Sequence, residues 1–159
     1  MLRPHRLALA LVEPKIAPNV GNIARLCVTT GTALHLVRPL GFLLGDAQLR
    51  RSAMDYWPRL NLTVHDDLAA FELSMNDRRL WLCENGEGRS AWEADFADGD
   101  VIVLGSESQG LPADFVTRHG AANAGRLVHL PQVDGERCLN VATAAGVVLY
   151  EALRRLHFG

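Results

Sequence analysis

The sequence predicts an α/β fold in which a mostly parallel sheet carries helices on both faces. Short apolar runs alternate with helical or turn-rich segments, and several runs are apolar at nearly every position. Strands covered on both faces in a parallel sheet have this composition. Strands that alternate with helices are typical of parallel α/β proteins. The runs predicted to be strands are residues 7–12, 34–37, 60–64, 80–83, 101–104 and 127–130.

Three of the predicted helices have recognisable signals. Asp66 is predicted to cap a helix that runs through Leu68 and Phe71, and Pro112 suits a first helical turn. Residues 140–156 carry apolar side chains at helical spacing over a wide stripe and end near two arginines. A helix this apolar is either buried inside its own domain or paired with a second copy of the chain.

The length of 159 residues and a mass of 17.4 kDa predict one domain, covering residues 1–159. With 48% hydrophobic and 21% charged residues, the composition is that of a globular protein. No apolar run approaches the roughly 20 residues that cross a bilayer, so no membrane association is expected. The three cysteines show no close pairing, which predicts neither disulfides nor zinc and favours a reduced, cytoplasmic setting. The histidines are scattered without the spacing of metal ligands, and we expect them on the surface or in packing roles.

A formal net charge of −2 excludes nucleic-acid binding by a strongly basic surface, although a local basic patch stays possible. Lys15 is the sole lysine, so the other basic residues are arginines. Arginine suits bidentate contacts to phosphate better than lysine does.

The first segment with chemical potential is residues 18–26. Asn19 is predicted to cap a helix there, with Asn22 and Arg25 projecting together from one face. This pattern fits either a capped helix with a solvated arginine or a clamp for phosphate or ribose.

The second segment, residues 101–112, is a buried strand that runs into a glycine-flanked loop. Ligands of open α/β sheets bind just past the carboxyl ends of strands. The segment lacks both the Walker motif and the dinucleotide fingerprint. Gly105 and Gly110 therefore serve either simple turn geometry or a ligand loop, and Glu107 is either a helix-entry charge or part of a site.

The third segment, residues 130–142, again joins a strand to a helix through a loop. Asn140 is predicted to cap the last helix. Cys138 is expected to be a small packed side chain rather than a nucleophile, because no histidine lies near it in sequence.

Together the three segments resemble the three motifs of the SPOUT methyltransferases, in particular the minimal tRNA 2′-O-methyltransferases that modify the wobble nucleotide. The resemblance covers nearly the whole chain. It is carried by VEP at 12–14, PNVGNIARLC at 18–27, RRSAMDY at 50–56, GSE at 105–107, GLP at 110–112, Asn140, and VLYEA at 148–152. The chain departs from the family where Cys138 replaces a usual Ser and where Ala142 and Thr143 replace a Ser-Asn pair.

The resemblance implies a trefoil knot in the C-terminal part, an obligate homodimer formed through the C-terminal helix, and S-adenosylmethionine as methyl donor, with S-adenosylhomocysteine as product and no metal. By position, the residues implied to bind the donor are Cys83, Gly105, Leu130, Cys138 and Leu139. Arg25 takes the catalytic position, surrounded by Asn19, Glu107 and Asn140.

The implied substrate is the anticodon stem-loop of tRNA. The candidates for phosphate contacts are Arg50, Arg51, Arg59 and Arg137, each of which could instead be a surface charge paired with an acidic residue. Two alternatives stay open: an rRNA 2′-O-methyltransferase of the same fold, and a knotted RNA-binding homologue with impaired catalysis. An unrelated α/β nucleotide enzyme, such as an oxidoreductase, is disfavoured by the missing dinucleotide fingerprint.

Overall fold

A computed structural model describes residues 1–86, 88–121 and 125–159 of the chain. Its centre is a seven-stranded sheet with the order β3-β2-β1-β6-β4-β7-β5. All neighbouring strands run parallel. The strands are β1 (Ala8–Val12), β2 (Ala33–Val37), β3 (Leu62–His65), β4 (Leu80–Cys83), β5 (Arg89–Ser90), β6 (Val101–Leu104) and β7 (Leu127–His129).

Helices cover both faces of this sheet. They are α1 (Ala17–Thr30), α2 (Ala47–Ala53), α3 (Leu68–Ser74), α4 (Ala113–Val116) and α5 (Val141–Phe158). A 3₁₀ helix, Met54–Arg59, follows α2 directly. Side chains of α1, α2 and α5 pack with Leu9 and Leu11 of β1 in one core, and side chains of α3 and α4 pack with Ala8 and Ala10 in the other. Alternate residues of one strand thus enter opposite cores, as the pleat requires.

The structure confirms the α/β class and the parallel sheet. Each predicted strand is present: the bounds of β4 and β6 match the prediction, and the other four differ by one or two residues at an end, while β5 was not predicted. Asp67, not Asp66, caps α3, because the Asp67 carboxylate accepts a hydrogen bond from Ala70 N at 2.8 Å. Pro112 stands at the N-cap of α4 rather than inside its first turn. The trefoil knot stays a prediction.

Helices α1 and α2 approach each other closely at a glycine. A Cβ atom added to Gly21 of α1 would lie 2.3 Å from Ser52 Cβ and 2.9 Å from Ala53 N. Only a residue without a side chain fits between the two helices here. The chain then turns at Met54, whose φ of 50° lies in the left-handed region, and enters the 3₁₀ helix beside α1.

Two of the scattered histidines form a buried pair beside α3. His35 Nδ1 and His65 Nε2 lie 3.0 Å apart, and Phe71 contacts both rings. Burial lowers the pKa of His35 to about 4, with the neighbouring His65 and Arg78 adding to the effect. Burial also lowers the pKa of His65. The pair is therefore neutral near pH 7, in keeping with the predicted packing role.

The C-terminal helix α5 has both a buried and an exposed apolar side. Val148, Leu149 and Ala152 are fully buried within the domain, whereas Val147 and Tyr150 are 37% and 55% exposed. Burial inside the domain therefore accounts for one stripe of this helix and leaves the outer stripe uncovered. In the described part of the chain, none of the helices combines the length and the apolar character needed to span a membrane.

Candidate active site

A cleft of about 450 Å³ lies at the carboxyl edge of the sheet, where β4, β6 and β7 end. Parallel strands end at the same edge, so the loops that follow them meet there. The N-terminal ends of α1 and α5 close the cleft from the other side. Its walls are formed by Ile16, Asn19, residues 83–85, residues 104–110, Leu130, Gln132, residues 138–141 and Ala144.

Every residue that the resemblance assigns to donor binding lines this cleft. These residues are Cys83, Gly105, Leu130, Cys138 and Leu139. The packing predicted for Cys138 is wrong: this thiol is exposed, because the loop around it contains no regular structure that would bury it. Burial raises the pKa of the Cys83 thiol to about 12, with Glu84 adding to the effect, so Cys83 contributes a neutral wall atom rather than a thiolate.

Three of the residues predicted to be catalytic form a hydrogen-bonded chain. Asn140 Nδ2 donates to Asn19 Oδ1 at 3.0 Å, and Asn19 Nδ2 donates to Glu107 Oε1 at 3.2 Å. As predicted, Asn140 caps α5, with its Oδ1 accepting from Ala142 N at 2.9 Å and Thr143 N at 3.3 Å. These hydrogen bonds therefore connect the three segments that were singled out in the sequence.

Glu107 performs the capping that was expected of Asn19. Its Oε2 accepts from Lys15 N at 2.8 Å, and its Oε1 accepts from Ile16 N at 3.1 Å. Helix α1 begins with Ile16 at the N-cap, which has no capping side chain, so the predicted cap at Asn19 is wrong. A carboxylate at this position satisfies free N–H groups and also faces the positive end of the helix dipole.

The loop between β6 and α4 is held tightly in shape. Ser106 and Gly110 exchange two backbone hydrogen bonds of 3.1 and 3.0 Å, and Glu84 Oε1 accepts from Leu111 N at 2.5 Å. A Cβ atom on Gly105 would lie 2.0 Å from the carbonyl carbon of Gly110. The glycines allow the turn and also form part of the cleft wall, while a role in ligand binding stays a prediction.

Arg25 is not among the residues that line the cleft. It is exposed on α1, six residues beyond Asn19, which places it about 9 Å farther along the axis and roughly 120° around it. Its guanidinium carbon lies 5.3 Å from the centre of the Tyr56 ring. Of the four residues predicted to be catalytic, Asn19, Glu107 and Asn140 line the cleft and Arg25 does not.

The candidate phosphate-binding arginines are all exposed. Arg59 Nη2 lies 3.7 Å from Asp55 Oδ2. Within residues 1–86, 88–121 and 125–159, no ion pair involves Arg50, Arg51 or Arg137. For these three, pairing with a nearby acidic residue is thus not observed.

Sequence reasoning gave no role to several polar residues of the cleft, three of which lie in the loops after β4 and β7. Glu84 and Asn85 follow β4 directly, and Gln132 lies shortly after β7. Gln132 donates a hydrogen bond to Asn85, which joins the two loops. Their position just after predicted strands was a usable signal, because the ends of parallel strands meet at one edge.

The chain belongs to the SpoU rRNA Methylase family, whose sequence pattern matches residues 6–150. The resemblance noted from the motifs is thereby confirmed. The chain is 42% identical over 151 residues to the tRNA (cytidine(34)-2′-O)-methyltransferase of Methylovorus glucosotrophus, covering 94% of this chain and 96% of that protein. The enzyme of the same name from Escherichia coli is 39% identical over 153 residues, covering 96% and 95%.

Solved structures agree with this membership. One described as "Structural insights into the 2-OH methylation of C/U34 on tRNA" superposes with a TM-score of 0.89 at 40% identity, covering 96% of this chain and 97% of the other. The SpoU methyltransferase AviRb from Streptomyces viridochromogenes, solved in complex with the cofactor AdoMet, has a TM-score of 0.84 at 20% identity. The superposition covers 98% of this chain and 59% of the other, and it shows that the two proteins share a fold.

Proposed function

We propose that this chain transfers a methyl group from S-adenosylmethionine to the ribose 2′-hydroxyl of nucleotide 34, the wobble nucleotide of the tRNA anticodon loop. The observation that carries the proposal is the cleft in which all three motif segments converge. The relatives that bear the tRNA (cytidine(34)-2′-O)-methyltransferase name align over nearly their full length, which supports the same substrate here. With a tRNA substrate, we expect a cytoplasmic location.

The cleft suits the donor in size and in chemistry. A volume of about 450 Å³ falls within the range of small-molecule pockets, about 300–1,000 Å³. Leu104, Leu130 and Leu139 supply apolar walls, and the 105–110 loop supplies backbone groups. When bound, S-adenosylmethionine supplies a reactive methyl group on a positively charged sulfur. The carboxylates of Glu84 and Glu107 give the cleft a negative potential that favours a cationic ligand.

The catalytic role that we propose for Arg25 is orientation rather than proton abstraction. A guanidinium group is always protonated in proteins, so it donates hydrogen bonds and cannot act as the base. We propose that Arg25 holds the ribose hydroxyl and a neighbouring RNA phosphate together. The hydroxyl proton then leaves to that phosphate or to water, while the aligned oxygen attacks the methyl group.

For Asn19, Glu107 and Asn140 we propose a supporting role. Their polar atoms are hydrogen-bonded to one another and to backbone N–H groups, as described above. This arrangement fixes the start of α1 against the start of α5 and keeps the cleft open to its ligand.

We further propose that two copies of the chain complete the site. The exposed Val147 and Tyr150 give α5 an apolar outer stripe that a second copy would cover. Arg25 does not line the cleft of its own chain. In a symmetric dimer, Arg25 of one subunit could lie at the cleft of the other, which would place the guanidinium beside the donor.

The activity is tested with purified protein, labelled S-adenosylmethionine and tRNA, followed by mapping of the methylated ribose. We expect methylation at nucleotide 34. Arg25→Ala should abolish transfer and leave the affinity for S-adenosylhomocysteine unchanged in calorimetry. Arg3→Ala, which removes another exposed arginine, is the matched control. Methylation of rRNA alone would favour the rRNA enzyme, and failure to bind S-adenosylhomocysteine would favour the impaired homologue.

The composite site is tested by subunit complementation. Arg25→Ala and Gly105→Leu subunits with different tags are co-expressed, and the heterodimer is isolated. If Arg25 acts across the interface, the heterodimer contains one intact site and shows about half the activity of the wild-type dimer. If Arg25 acts within its own subunit, no intact site exists. An inactive heterodimer would therefore contradict the proposal.

The arginine contacts predict salt-dependent RNA binding. Each phosphate contact that is lost should reduce the slope of log affinity against log salt by about 1. We expect this reduction for Arg50→Ala and for Arg51→Ala, measured by titration of the anticodon stem-loop. A salt response that is flat in the wild-type protein would contradict RNA binding through these arginines.

A further inference from the structure

Tyr56 contacts two guanidinium groups beside α1. The guanidinium carbon of Arg25 is 5.3 Å from the centre of the Tyr56 ring, and that of Arg59 is 5.0 Å from it. Both distances are within the range of cation–π contacts, about 6 Å. Tyr56 itself is only partly exposed, so the ring provides a fixed surface rather than a freely moving side chain.

The backbone around Tyr56 is built to hold this contact. Gly21 lets α2 approach α1 so closely that a Cβ atom would collide with Ser52, and the 3₁₀ helix that carries Tyr56 starts two residues after Ser52. Met54, at the start of that helix, has a φ of 50°, which is unfavourable for a residue with a side chain. A strained turn and a close helix contact therefore both act to place the ring beside Arg25.

The Tyr56 ring is also the only partner that the described residues offer to the Arg25 side chain. No carboxylate in that part of the chain forms an ion pair with Arg25. A carboxylate would occupy N–H donors and neutralise the charge. A ring face orients the guanidinium and leaves both its donors and its charge available to RNA.

We propose that Tyr56 is a positioning residue for Arg25: its ring holds the guanidinium in the orientation that engages the ribose hydroxyl. This proposal rests on the function proposed above. Arg59 differs from Arg25 because it has a second contact, to Asp55 at 3.7 Å, so loss of the ring affects Arg25 more.

The first experiment compares Tyr56→Phe with Tyr56→Leu in the full-length protein. Tyr56→Phe keeps the ring and should retain kcat within about twofold. Tyr56→Leu loses the ring and should lower kcat by about fivefold, which corresponds to about 1 kcal/mol, the upper end for exposed cation–π contacts. The affinity for S-adenosylhomocysteine should not change. Unchanged kcat in Tyr56→Leu, or an equal loss in Tyr56→Phe, would overturn the proposal.

A second series preserves the shape of the ring and so guards against misfolding. Tyr56 is replaced by phenylalanine that carries one, two or three fluorine atoms. Each added fluorine weakens the electrostatic attraction between the ring and a cation. We expect log kcat to fall in steps with fluorination at unchanged thermal stability. A flat series would overturn the proposal, because a purely structural ring would tolerate fluorine.

A spectroscopic readout separates this proposal from the proposed function. If the wild-type protein methylates no RNA, the proposed function fails, and the orientation of Arg25 can still be followed by the NMR signal of its Nε–H group, assigned with Arg25→Lys. We expect an upfield ring-current shift of this signal in the wild-type protein and in Tyr56→Phe, because the guanidinium lies over the ring. Tyr56→Leu should remove that shift. A signal that stays at the same position in Tyr56→Leu would overturn the positioning role whether or not the protein is active.

Discussion

Replacement of Glu107 by glutamine is expected to destabilise the protein through the start of α1. The carboxylate accepts hydrogen bonds from Lys15 N, Ile16 N and Asn19 Nδ2. In Glu107→Gln, one oxygen becomes an amide NH₂ group, which cannot accept. The least costly orientation places that group opposite Lys15 N and leaves the remaining oxygen for the other two donors.

The magnitude follows from the interactions that are lost. One hydrogen bond to a charged acceptor is worth about 1.5–3 kcal/mol, and the negative charge at a helix N-terminus adds about 0.3–1 kcal/mol. Because Glu107 is only partly buried, water replaces some of this loss. We expect a loss of about 2 kcal/mol in the free energy of unfolding, which corresponds to a decrease in Tm of about 4–8 °C for a domain of this size.

The assay is urea unfolding at pH 7 and at a fixed protein concentration, since association changes apparent stability. Glu136→Gln is the matched control: it removes the same charge from an exposed side chain for which the described residues provide no hydrogen bond. The control should remain within about 0.5 kcal/mol of the wild-type protein. If Glu107→Gln matches the control, Glu107 does not hold the start of α1.

Three further predictions concern the cleft and the core. Gly105→Ala would put a Cβ atom 2.0 Å from the carbonyl carbon of Gly110, so the loop must move. Calorimetry should then show at least tenfold weaker binding of S-adenosylhomocysteine. An unchanged affinity would contradict the role of this loop. The buried pair of His35 and His65 should make the protein less stable as pH falls from 6.5 towards about 4, because the unfolded chain binds the protons that folded His35 rejects. The free energy of unfolding should decrease by about 3 kcal/mol over this pH range. Midpoints of urea unfolding that do not change between pH 6.5 and about 4 would contradict this expectation. Cys138 should react with iodoacetamide, and saturating S-adenosylhomocysteine should slow that reaction; equal rates would mean that the ligand does not cover this thiol.

The regular part of the fold was predictable because its signals are local. The strands β4 and β6 are apolar throughout and almost entirely buried, and their predicted bounds match the observed ones. β5 was missed because Arg89–Ser90 is too short and too polar to show a pattern. The cap of α1 was misassigned because the group that caps it, Glu107, lies about ninety residues away and reaches the helix only through the tertiary fold.

The site was predictable only in part. All five residues that the resemblance implies for donor binding line one cleft. The spacing of Arg25 and Asn19 along α1 was available from the sequence, but whether the Arg25 side chain lines the cleft depends on how α1 is rotated on the sheet. The contact of Arg25 with Tyr56 likewise depends on the spacing of two helices, which the sequence indicates only through Gly21.

The bond between Asn19 and Asn140 joins residues 121 positions apart. During synthesis, the ligand pocket therefore cannot assemble until residue 140 has left the ribosome and the last helix has docked. Closing so large a loop has an entropic cost, and the contacts that offset this cost form only at the end of folding. Donor binding should accordingly report completed folding, and a donor analogue should rescue variants whose final helix docks weakly.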